Sequence, residues 1–101
     1  MEINFSELIL NLDGETIPDE KGESTTLGKL AVGALLTVLP EHGQPEQISP
    51  VDKCRYGKLA QDIYASQTVD LKVEDIALLK DRIGKAYPPL AVMRAWDLLD
   101  G

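Results

Sequence analysis

Cysteine is almost missing from this sequence. Cys54 stands alone, so no disulfide can close within the chain and secretion gains no support. Histidine is as scarce: with His42 the one imidazole and no second thiol, no zinc-ligand spacing can be assembled. Long apolar runs are missing too, the longest being "LAVGALLTVLP" over residues 30–40, roughly half of what a membrane crossing needs. The opening "MEINFSELIL" has acids and no Lys or Arg ahead of its apolar residues, unlike a signal peptide. There is no Gly-rich phosphate loop and no Gly-x-Ser-x-Gly elbow, so no cofactor is implied and no catalytic residue can be named. These absences exclude a disulfide scaffold and a membrane span, and leave a non-enzymatic cytoplasmic protein as the expectation.

What is present is an ordinary globular composition, 44% hydrophobic and 27% charged over 101 residues, the size of one domain. Charge is unevenly placed. Residues 1–50 hold nine acids against Lys21 and Lys29, a net of −7, while residues 51–101 balance eight acids with eight bases. Binding a phosphate backbone needs basic side chains in surplus on one face, so direct nucleic-acid binding is not expected.

The pattern predicts a mostly helical α+β domain over 1–101, with an N-terminal β-hairpin and about four helices around a central apolar one. In "LILNLDGETIP", Asp13-Gly14 between apolar runs signals a hairpin over 3–18 with a type I′ turn, and Pro18 makes its second strand a short edge. A loop over 19–24 follows. Thr25 or Thr26 caps a helix over about 26–39, whose apolar residues surround it nearly completely; it should be buried on several sides, with Gly28 and Gly33 marking close neighbours. Ser49-Pro50 opens a helix over 50–66 with Leu59, Ala60, Ile63 and Tyr64 inward. After a short extended piece at 69–71, helices over 73–87 and 89–100 complete the chain, the first led by the acids Glu74 and Asp75.

Several residues invite a functional reading. Aligned as a calcium loop, residues 9–20 place Asn11, Asp13 and Glu20 at ligand positions, but Ile9 takes the first and Pro18 interrupts the exit, which favours a simple bend. His42 reads as a loop residue and Cys54, beside Lys53 and Arg55, as a small buried or half-buried residue of an amphipathic helix. Lys53, Arg55, Lys58, Lys80, Arg82, Lys85 and Arg94 lie among Asp52, Asp62, Asp81 and Asp97, a mixed solvated face in which Asp81 and Lys85 are an i,i+4 pair. In the last helix Val92, Trp96 and Leu99 share a face that can serve as a partner-binding surface, since Trp is enriched among interface anchors. The acids Glu15, Asp19, Glu20 and Glu23 offer an alternative surface, one that imitates nucleic acid toward a basic host protein.

Taken together, "LNLDGETIP", "TTLGKLAVGALL", "KCRYGKLAQDIY" and "VDLKVEDIALLKDRIGKAYPPLAV" resemble small accessory proteins encoded by tailed bacteriophages and prophages. Lys53-Cys54-Arg55 departs from the pattern by one residue in its Lys-to-Arg spacing. The resemblance implies a phage or prophage origin and brings no catalytic residue. The expected partner is another protein, phage-encoded or a second copy of the chain, met in the host cytoplasm or with the virion.

Overall fold

In a computed structural model that describes residues 1–101, the chain begins as a strand whose partner is far away in sequence. β1 (Glu2–Asn4) pairs antiparallel with β4 (Thr68–Asp70) in the register Glu2↔Asp70, Ile3↔Val69, Asn4↔Thr68. Phe5 N–H extends the pairing by donating to Gln67 O at 2.6 Å. The N-terminal ammonium donates to Asp70 Oδ1 and Leu71 O at 2.8 and 2.9 Å. The piece expected at 69–71 is therefore the main partner of the first strand, and residues 3–18 are not one continuous hairpin.

Between β1 and the first helix the chain makes two turns of one design. In the first, Asn11 N–H donates to Glu15 O and Gly14 N–H to Asn11 O, at 2.9 and 3.1 Å. Asn11 Oδ1 accepts from the amides of Asp13 and Glu15, at 2.9 and 3.0 Å. Eight residues on, Asp19, Gly22 and Glu23 repeat every one of these contacts, with Asp19 Oδ1 accepting from Lys21 and Glu23 N–H at 2.9 Å. Isolated bridges Leu10↔Thr16 and Pro18↔Ser24 close them. Only Gly14 (φ +82°) and Gly22 (φ +80°) are left-handed here, which makes each a type I turn followed by a glycine bulge. The type I′ loop expected at Asp13-Gly14 lies instead at His42 (φ 51°) and Gly43 (φ 80°), joining β2 (Pro40–Glu41) to β3 (Gln44–Pro45).

Helix α1 (Leu27–Leu36) starts at Thr26, whose hydroxyl accepts from Lys29 N–H, and it is central: α2 (Pro50–Ala65) and α3 (Val73–Ala86) pack on it. α4 (Pro89–Leu99) packs on α3. Leu27, Ala31, Ala34, Leu79, Ile83, Ala95 and Leu99 are inaccessible to solvent. Both α1 glycines meet close neighbours. A Cβ on Gly28 would lie 3.0 Å from Phe5 O, and one on Gly33 would lie 2.5 Å from the Tyr87 hydroxyl, which donates to Leu30 O. Ser49 caps α2 by accepting from Asp52 N–H at 3.1 Å, and Pro50 takes its first position.

The helix ends at Leu36 rather than near residue 39, and the reason is Arg82. Its side chain is buried, with Nε donating to Ala34 O at 3.2 Å, Nη2 to Thr37 O at 2.7 Å and Nη1 to Glu46 Oε1 at 2.5 Å. The guanidinium satisfies two of the carbonyls left open at the helix end, those of Ala34 and of the capping residue Thr37. Glu46 then holds the β2–β3 loop through its Oε2, which accepts from Leu39 N–H at 2.5 Å. Arg82 therefore does not belong to the mixed surface face expected for it. Nor does Arg94 stand free, since its Nε and Nη2 donate to Leu10 O and Asn11 O and fasten the first turn to α4.

Candidate functional site

The face expected on the last helix is not assembled. Leu99 is wholly buried beside Ala95, because those two residues, one turn apart, are the ones α4 turns toward α3. Val92 is half-buried against the core. Trp96 is 41% exposed but engaged: its Nε1–H donates to Lys80 O at 3.1 Å, and the Lys80 ammonium sits 5.5 Å from its ring centre. Lys80 in turn pairs with Asp100. Trp96 is a strut between α3 and α4.

The acids of the two turns are partly committed as well. Lys29 Nζ, on α1, donates to Asp19 Oδ2 at 2.6 Å, Glu23 Oε2 at 3.2 Å and Ser24 O at 3.0 Å. That hydrogen bond is the main reason the Asp19 carboxyl lies below, and the Lys29 ammonium above, its ordinary value. Glu15 and Glu20 remain exposed without an ion-pair partner. As for calcium, Asn11 and Asp19 aim a side-chain oxygen at backbone amides of their own turns. No group of three or more His, Cys, Asp or Glu side chains gathers as a ligand set. Cys54 is exposed on α2 rather than buried or half-buried, since it lies off the Leu59, Ala60 and Ile63 stripe, and His42 occupies the first of two left-handed positions in its loop. Arg55 pairs with Asp75 at 3.5 Å, and Lys85 with Asp81 at 3.3 Å, which leaves the second half charge-mixed. No helix is long and apolar enough to cross a membrane.

The surface that does assemble is a groove beside α1. One wall is the α1 face carrying Gly28, Lys29, Val32 and Gly33; the other is the end of α2, Ile63 to Ala65, with Ser66 and Gln67 beyond it; Phe5 and Ser6 close it below. Tyr64, expected inward, is 86% exposed. The inward stripe of α2 runs through Leu59, Ala60 and Ile63, and Tyr64 falls about 100° away from Ile63 around the helix. One turn beyond half-buried Val32, Leu36 is 63% exposed, so α1 is covered on the sides of α2 and α3 and bare at Leu36. The expectation of a helix buried all round is corrected to that extent.

The two helix ends at this groove differ. The first three amides of α1 are closed: Leu27 N–H donates to Glu7 O, Gly28 N–H to Phe5 O and Lys29 N–H to Thr26 Oγ1. The carbonyls of Ile63, Tyr64 and Ala65 at the end of α2 receive no hydrogen bond from the chain, and the last turn of α2 carries no base.

The groove was missed in the sequence because a helix apolar all round looks buried, though "VGALL" does leave Val32 and Leu36 outside the buried stripe. Comparison with known protein families, with curated proteins and with solved structures found no match.

Proposed function

We propose that this chain is a non-enzymatic accessory or assembly protein of a tailed bacteriophage or prophage, acting through protein–protein contact at the α1–α2 groove. The observation that carries the contact is the exposure of Tyr64 at the edge of a groove lined by half-buried Val32 and floored by Phe5 and Ile63, with Leu36 exposed one turn farther along α1. Contiguous exposed apolar surface on a small protein marks an interaction site more often than single exposed residues do. The phage origin rests on the resemblance of the four sequence segments. The reading as an imitator of nucleic acid has less support, because Lys29 interrupts the row of acids at Asp19 and Glu23.

Affinity capture from induced lysogenic cells, at low and high salt, tests this. An apolar contact should hold a phage-encoded protein at high salt. Capture of a basic host protein that is lost at high salt, where exposed charges are screened within a few ångströms, would replace this reading with the acidic one.

A further inference from the structure

We infer that two copies of the chain join edge to edge at β4, antiparallel about a two-fold axis through Val69, so that the strand pair of each becomes half of a four-stranded sheet. This goes beyond the contact at the groove and does not depend on it.

The backbone shows which edge is open. Phe5 N–H donates to Gln67 O and Leu71 N–H to Met1 O, so the residues bonded across the β1–β4 pair are alternate ones, with Ile3 and Val69 between. The N–H and C=O of Thr68 and Asp70 therefore point away from β1. No third strand lies on that side, and these groups make no hydrogen bond within the chain. Both residues are exposed. A donor and an acceptor on every second residue fit another extended backbone. The far edge of β1 offers less, because Asn4 O already accepts from Glu7 N–H at 3.4 Å and the Asn4 side chain turns the chain at Ser6.

Three features match this edge to a second copy of itself. Pairing about Val69 sets Thr68 against Asp70 of the second copy on both sides of the axis, so every outward donor meets an outward acceptor. Val69, half-buried, then meets its own counterpart in the closer, non-hydrogen-bonded pair, a β-branched contact that covers apolar surface left open in one copy. The same axis brings Lys72 of the second copy opposite Ser66, the residue that ends α2. The last turn of α2 carries no base, and its final carbonyls accept no hydrogen bond. Charge does not oppose the pairing locally. Residues 66–72 hold only Asp70 and Lys72, and the Asp70 carboxylate already lies 2.8 Å from the N-terminal ammonium. The chain's net −7 comes from residues 1–50.

Sedimentation velocity of the purified chain across a wide range of concentration tests this. The mean mass should rise with concentration toward twice the 11.1 kDa of one chain. Thr68→Pro removes an outward N–H at an edge position and should abolish the rise. Thr68→Asp, which changes only an exposed side chain, sets an acid against Asp70 of the second copy and should weaken association at least tenfold with the circular dichroism unchanged. The register is read by crosslinking in a Cys54→Ser background. At Val69→Cys the two Cα atoms would stand about 4.5 Å apart, within reach of a disulfide. At Thr68→Cys they would stand about 8 Å apart, beyond that reach. Mild oxidation should therefore link Val69→Cys at least tenfold faster. A monomer at every concentration, undiminished association of Thr68→Asp, or faster linking at position 68 would overturn the inference. A monomer that still captures a phage protein through Tyr64 would overturn it and leave the proposed function standing. A dimer that captures nothing would do the reverse.

Discussion

Tyr64 on α2 and Trp96 on α4 are both aromatic, and what surrounds each is opposite. Trp96 is part-covered, its N–H is bonded to Lys80 O, and the Lys80 ammonium lies over its ring. Tyr64 is more exposed, its hydroxyl makes no hydrogen bond within the chain, and its neighbours are the walls of an open groove. Residue type alone favours Trp96 as an interface anchor, since Trp is the commoner hot spot. The structure reverses the order, because a polar tip already satisfied within the chain has less left to offer a partner. Substitutions around the two residues should separate into those that harm folding and those that harm contact.

The largest effect on folding should come from Arg82→Met, on α3, the helix against which Trp96-bearing α4 packs. It leaves Glu46 buried without its ion-pair partner and opens the carbonyls of Ala34 and Thr37, a loss of about 3–5 kcal/mol in denaturant titration. The same pair sets an acid limit. The hydrogen bond from Arg82, opposed by burial, holds the Glu46 carboxyl below its ordinary 4.5. A depressed carboxyl stabilises the fold above the unfolded value, and that contribution is lost as pH falls through the folded value. As pH falls below the ordinary 4.5, wild type should lose stability that Arg82→Met, already without the pair, does not lose.

Next comes Leu99→Ala, at a fully buried position on the face of α4 once grouped with Trp96, with an expected cost of about 2–5 kcal/mol. Any loss of partner binding in that variant should track its unfolded fraction. Gly14→Val and Gly22→Val should each cost about 1–2 kcal/mol, since both turns need a left-handed residue, and calcium should leave both thermal midpoints unchanged. Tyr64→Ala should change stability least, within about 0.5 kcal/mol, as an exposed substitution does. A larger loss would mean that Tyr64 is a strut after all.

The parts legible in the sequence are those set by local chemistry. Ser49-Pro50 and Thr26 start their helices as expected, and Pro88-Pro89 separates α3 from α4. The pairing of β1 with β4 was not legible, because it joins Ile3 to Val69 across most of the chain and a three-residue strand carries little pattern. The tandem turns had a signal that was overlooked: "NLDGE" and "DEKGE" share an Asx residue, a glycine three places on and a glutamate after it. Arg82 had one too, lying with Leu79, Ile83 and Ala86 at the spacing of a buried stripe, where a charge on the surface would not fall. The groove had none beyond Val32 and Leu36, since an apolar residue left uncovered looks the same in sequence as one that is buried.

Contact at Tyr64 rather than Trp96 is the central claim, and site-specific photo-crosslinking tests it most directly. Benzoylphenylalanine is placed at position 64 in one protein and at position 96 in another, both are expressed in induced lysogenic cells, and covalent adducts are identified after irradiation. Position 64 should yield an adduct with one phage-encoded protein, and position 96 should yield none. Adducts from position 96 with none from position 64 would contradict the account.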